Sequence, residues 1–223
     1  MENKEKLTPK EWIENVWYHY KWQIIFGAVF VVFLLVSIGQ MISNDEPDVR
    51  LLHVGPMYIS TEAADRIEET LISMSEDYND DGTIKIDLLD ITINKFGTDE
   101  ENVINYDQNA EGYKRFQTEI RAGDAVIYLL DEEYFRVCVE ENLLTPFEEI
   151  IDDAYMPENV IDGCGVKISE LKAYELSGLQ NVPENAILCL RRSPAKDQLT
   201  YGRTEEDWNG NKKTFVNIIK YGN

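Results

Sequence analysis

Positive charge is scarce in this chain. Against 42 Asp and Glu it sets only 21 Lys and Arg, for a net charge of −21. Residues 1–43 hold four Lys and four Glu, so the whole excess lies in residues 44–223. A domain so acidic is repelled by phosphate backbones and anionic headgroups. That argues against nucleic acid as a partner and favours cations. Histidine is nearly missing too: there are two, and only His53 lies beyond the first 43 residues. It sits in the apolar run RLLHVGP with no nucleophile placed by motif, so a core histidine is expected there. G-x-S-x-G, H-E-x-x-H, Walker A, C-x-x-C and Rossmann patterns are all lacking. Acidic pairs such as Asp152/Asp153 and Glu140/Glu141 follow from composition and read as solvated faces. Nothing in this inventory points to an enzyme.

Cysteine is sparse and odd in number, so whatever pairing occurs leaves one thiol over. Cys138 and Cys189 lie in apolar patterns and are expected in the core, while Cys164, between two glycines, is expected at the surface.

One long apolar run is present. Ile24 to Ile42 reads IIFGAVFVVFLLVSIGQMI, nineteen residues without a charge. At 1.5 Å per residue this matches a hydrocarbon core of about 30 Å. Upstream, TPKE offers Thr8 as N-cap, Pro9 at the first helical position and Glu11 to close a capping box. Trp12, Trp17, Tyr18, Tyr20 and Trp22 crowd the entrance to the run, where amphipathic rings favour a membrane interface. Lys10 and Lys21 flank the run on its N-terminal side, and no cation follows it before Arg50. The positive-inside rule then places the N-terminus in the cytoplasm and the acidic remainder outside the cell membrane. A cleaved signal peptide is the rival reading, but the run is long for one and no A-x-A site follows Ile42. The expected organisation is a cytoplasmic aromatic helix (1–21), a single transmembrane helix (22–42), a linker (43–47) and an extracytoplasmic domain (48–223).

With 43% hydrophobic residues the chain can pack a core. VRLLHVGP (49–56), TIKIDLLDITI (83–93), AVIYLLD (125–131) and AILCLRR (186–192) read as strands. Residues 60–77, 110–124, 132–142 and 204–222 read as helices. Residues 94–109 and 151–185 read as irregular. Strand and helix alternate, which predicts an α/β sandwich with a largely parallel sheet.

The stretch RFQTEIRAGDAVIYLLDEEYFRVCVEENLLTPFEEI resembles a segment of bacterial type 2 extracellular solute-binding proteins. In that family a helix ends at an AGD turn, a strand follows, and a cluster near G-L-L-x-P-L closes the unit. The family's usual Pro-Asp pair after the turn is missing here, and the match covers about residues 110–150. The layout also looks like small membrane-anchored proteins of clostridia-like bacteria. The resemblance implies a three-layer α/β/α domain like one lobe of a periplasmic-binding-protein-like II fold. Two such lobes close on a solute in the family, and 180 residues suffice for one.

Two candidate sites follow. In SEDYNDDGTIKID, Asp77, Asn79, Asp81 and Gly82 fall at places one, three, five and six of a calcium loop. Asp77, Asn79 and Asp81 would offer side-chain oxygens, and Thr83 a backbone carbonyl. Leu88 stands where the loop needs a bidentate acid. A structural Ca²⁺ site and a plain helix-to-strand turn both fit these residues. The second site would take a small solute at the carboxyl ends of the strands, using Gly123, Asp124, Asp131 and Tyr134. The overall expectation is a non-catalytic, membrane-anchored binding or interaction module, an accessory of a membrane or envelope complex. The alternative is a solute-binding protein acting with a transporter.

Overall fold

The structure, a computed structural model, describes residues 8–42, 46–94, 106–196 and 204–222. The expected linker residues 43–45, most of the irregular passage 94–109, and residues 1–7 of the cytoplasmic segment lie outside these. Two compact units are present, Met1–Asp45 and Glu46–Asn223.

The first unit is one helix, α1 (Pro9–Ile42). It starts at Pro9, whose missing N–H costs nothing at a first helical position, and Trp12 N–H donates to the Thr8 carbonyl at 3.0 Å. The expected boundary between a cytoplasmic and a membrane helix at 21/22 falls inside this continuous helix. Residues 16–37 are long and apolar enough to cross a membrane, by length and composition.

The second unit is an α/β domain with a five-stranded mixed sheet flanked by helices. In chain order it runs β1 (Val49–Gly55), α2 (Thr61–Ile72), β2 (Ile86–Thr92), α3 (Tyr106–Ala122), β3 (Ile127–Leu130), α4 (Glu132–Glu140), β4 (Gly165–Lys167), β5 (Ile187–Leu190) and α5 (Glu205–Lys220). The strand order is β2-β1-β3-β5-β4. β1 pairs in parallel with both β2 and β3, whereas β5 pairs antiparallel with β3 and β4.

The largely parallel sheet expected from the sequence is therefore a mixed one. Parallel neighbours need a long crossover, which α2 and α3 supply. Beyond α4 the chain reaches β4 and β5 through short 3₁₀ turns and bridges, and it returns antiparallel. β4 lies in the stretch read as irregular: three residues beginning with glycine carry no alternation to read. Gly165 is needed there, because a Cβ would sit 2.6 Å from both Ile187 and Phe135.

Alternation along β1 sends residues to two cores. Val49 and Leu51 join Ile67 and Leu71 of α2 and Trp208, Phe215 and Ile218 of α5. Leu52 and Val54 join Phe116 and Ile120 of α3 and Phe135 and Cys138 of α4. The period of two along a strand, combined with α2 and α5 on one face of the sheet and α3 and α4 on the other, accounts for both.

Local signals set the helix starts. Ser60 Oγ accepts from Ala63 N–H at 3.3 Å, and Asp131 caps α4. Thr204 and Asp207 form a full capping box at α5, a threonine followed three residues later by an acid. α2 ends at Ile72 rather than Asp77, because Ser73 and Ser75 turn their hydroxyls onto the Thr70 and Leu71 carbonyls and close the last turn. α3 begins earlier than its periodicity suggests. Asn109 is buried and clasps Asn94, accepting from its N–H at 3.0 Å and donating to its carbonyl at 2.9 Å.

Candidate functional site

The parallel strands β1, β2 and β3 share a carboxyl edge at Gly55, Thr92 and Leu130. From this edge the chain leaves β1 into α2 on one face and β3 into α4 on the other. β1 and β3 are neighbours, so their diverging exits make a topological switch point, the place where open α/β sheets hold ligands.

Three polar features meet there. His53, 1% exposed on β1, lies 2.5 Å through Nδ1 from Asp90 Oδ1 on β2. The other Asp90 oxygen accepts from Thr92 Oγ1 at 3.1 Å and from Ile59 N–H at 3.4 Å, which ties the β1–α2 loop to the strand end. A Cβ at Gly55 would stand 3.4 Å from His53 Nε2 and 3.7 Å from Asp131 Cβ, in ordinary contact with both, which places the two side chains on either side of this strand end. The expected core histidine is thus a carboxylate-paired one at the strand ends. No sequence signal linked it to Asp90, since the register of β1 on β2 made the pair.

Asp131 is 3% exposed. Its backbone N–H donates to Val54 O at 2.8 Å, one oxygen accepts from Glu133 N–H at 3.4 Å, and the other from Asn185 Nδ2 at 3.3 Å. From Asp131 a cleft of about 410 Å³ opens along the edge, between the start of α4 and the ends of β5 and β4. Its apolar wall is Phe135, Ile161 and Ile187, and its polar groups include Asn185, Asp162 and Lys167. Arg136, on its rim, pairs with Glu132 one turn earlier.

The structure does not bring the four expected solute residues together. Gly123 and Asp124 precede β3, and Asp131 follows it. Seven residues of extended chain, about 23 Å, separate Asp124 from Asp131. The AGD turn stands at the amino edge because a helix-to-strand turn delivers the chain to the start of a strand. Gly123 has φ +76° and lies against the Arg191 guanidinium. Tyr134 is buried beneath α4, edge-on to Phe116 at 5.2 Å, and burial pushes its phenol well above the usual range. It belongs to the core. Asn185, Asp162 and Lys167 were missed because they stand in or beside the stretch that shows no periodicity.

The acidic loop is closed by its own backbone. Asp77 accepts from Asp81 N–H at 3.2 Å and Gly82 N–H at 2.8 Å, and Asn79 Oδ1 from Asp81 N–H at 3.0 Å. Asp81 accepts from the Thr83 hydroxyl and N–H, which hold its carboxyl below the usual carboxylate range. Asp48, itself 5% exposed, fastens the loop by accepting from the N–H groups of Tyr78, Asn79 and Lys85. Leu88 lies on β2 and brings no oxygen. Among the described residues, no three His, Cys, Asp or Glu side chains gather closely enough to hold a metal ion.

All three cysteines are buried thiols, Cys164 included, because the turn carrying it packs under α4 with its glycine neighbour against Phe135. Burial pushes Cys138 up to about 12 and Cys164 up to about 11.

No protein-family model, curated protein or solved structure matches this chain.

Proposed function

We propose that this protein is a single-pass, membrane-anchored and non-catalytic binding module whose extracytoplasmic domain captures a small ligand. The observation that carries the reading is the carboxyl-edge cleft beside the β1/β3 switch point. At about 410 Å³ it falls in the usual range for small-molecule sites, with an apolar wall and a few convergent polar groups. Helices against both sheet faces support the likeness to one three-layer lobe of a type 2 solute-binding protein. With one lobe there is no hinged closure, so the ligand would be held by a preformed edge cleft.

The apolar helix suggests a signal anchor or signal sequence, and the scarcity of cations after it supports an outward-facing domain. A second reading, an accessory subunit of a membrane or envelope complex, draws on α1. Its 34 residues span about 51 Å, against about 30 Å of hydrocarbon. The surplus turns carry exposed Trp12 and Trp17.

Two measurements test the proposal. Carbonate washing should leave the chain in the membrane fraction, and protease added to intact cells should remove the domain. Full-length protein purified in mild detergent should then respond to small solutes in a way that Lys167→Glu, at the cleft, abolishes. A domain protected from outside protease, or a solute response indifferent to Lys167, would defeat this reading. Stoichiometric recovery of another membrane protein, lost on replacing Trp12 and Trp17 with Ala, would favour the accessory reading.

A further inference from the structure

We infer that the carboxyl-edge cleft selects a small zwitterion of the free α-amino-acid class. The inference rests on the ligand-binding reading above and adds the chemistry of the ligand.

The charges in the cleft are not all spent on one another. Arg136 is engaged by Glu132, and Asp131 by Asn185 and the first turn of α4. Lys167 at the end of β4 and Asp162 in the adjoining turn have no hydrogen-bond or ion-pair partner among the described residues, yet both line the cleft. Asp162 is held at φ +48°, a left-handed backbone that a non-glycine residue adopts at some cost. A free ammonium and a free carboxylate thus face one apolar-walled space.

This pattern discriminates among ligand classes. A dianion would meet Lys167 but also Asp131, Glu132 and Asp162, in a domain already strongly negative. A dication would meet the carboxylates but also Lys167 and Arg136. A neutral sugar prefers an open aromatic face, and the one aromatic ring of the cleft, Phe135, is 1% exposed. A molecule bearing one carboxylate and one ammonium can satisfy Lys167 and Asp162 together. Its side chain would then rest on Ile161, the half-buried residue of the apolar wall.

The test uses the full chain in detergent micelles, followed by thermal melting and isothermal titration. The probes are the common L-α-amino acids taken singly, with succinate, putrescine and glucose as dianion, dication and neutral controls. Each is offered at about 1 mM, the range of a weak site. At least one amino acid should raise the melting temperature and bind saturably. Lys167→Met should weaken it about tenfold or more, and Asp162→Asn should act in the same direction. Both side chains are exposed, so the unliganded variants should melt with the wild type. Amino-acid binding untouched by Lys167→Met overturns the inference. A saturable response to a control instead, altered by Lys167→Met, overturns the zwitterion class and leaves the cleft a ligand site. Silence from all four classes overturns both.

Discussion

The Arg191 guanidinium donates to the Tyr128 hydroxyl at 2.8 Å, and both side chains are wholly buried. Through its carbonyl, Arg191 also accepts from Trp208 Nε1 at 2.7 Å and from Thr145 Oγ1 at 2.9 Å. One residue beyond β5 therefore joins β3, α5 and the segment after α4. Tyr128→Phe removes an acceptor from a buried cation and should cost about 1–3 kcal/mol. Arg191→Ala, which also leaves a cavity, should cost about 3–5 kcal/mol. Denaturant melts measure both. Loss below about 0.5 kcal/mol for Arg191→Ala would mean that the pair does not hold these elements together.

Gly165→Ala should destabilise the domain by about 1–3 kcal/mol, since its methyl would press on Ile187 and the Phe135 ring at 2.6 Å. Gly163→Ala provides the contrast. Nothing lies within 4 Å of its Cβ position, and only the left-handed backbone, φ +74°, resists the change. The cost there should be about 1 kcal/mol. Equal melting temperatures for the two variants would contradict the close packing of β4 on α4.

The buried thiols give a pH dependence of definite sign. An unfolded cysteine ionises near 8.5, whereas burial holds Cys164 up to about 11 and Cys138 up to about 12. Between these values the unfolded chain binds fewer protons than the native one, so stability falls as pH rises. It should be level in this respect below about pH 8 and decline from about pH 9 towards 11. Native protein at pH 8 should resist thiol reagents until denaturant is added. Rapid labelling of Cys164 in the native state would show that its turn is open.

The acidic loop should stand without calcium, because its backbone already satisfies Asp77, Asn79 and Asp81. Melting curves in calcium and in chelator should agree to within about 1 °C, where a filled site would separate them by several degrees. Asp81→Ala removes the acceptor for Thr83 and should lower the melting temperature slightly by opening the turn, with or without calcium. A calcium-dependent rise that Asp81→Ala abolishes would restore the cation site.

Much was legible in the residue order. Nineteen uncharged residues specify a membrane-length helix whatever surrounds them, since length and apolarity are local quantities. β1, β3, β5 and the helices between them announced themselves by alternation, apolar runs and capping residues. His53 was readable as buried because its neighbours in RLLHVGP are apolar. The acidic turn was readable as a turn because Asn, Asp and Gly supply their own backbone acceptors and left-handed residues.

Tertiary structure decided the rest. Whether β4 and β5 run with or against β3 depends on crossovers absent from their own residues. The pairing of His53 with Asp90 depends on the register of two strands 37 residues apart. The four solute residues expected on one site fall at opposite ends of β3 and within its core. Asn185, together with Asp162 and Lys167 from the stretch around β4, instead lines one cleft with Asp131. Local sequence carries periodicity and capping, which are properties of neighbours along the chain. A cleft is a property of neighbours in space, and only the folded sheet brings these together.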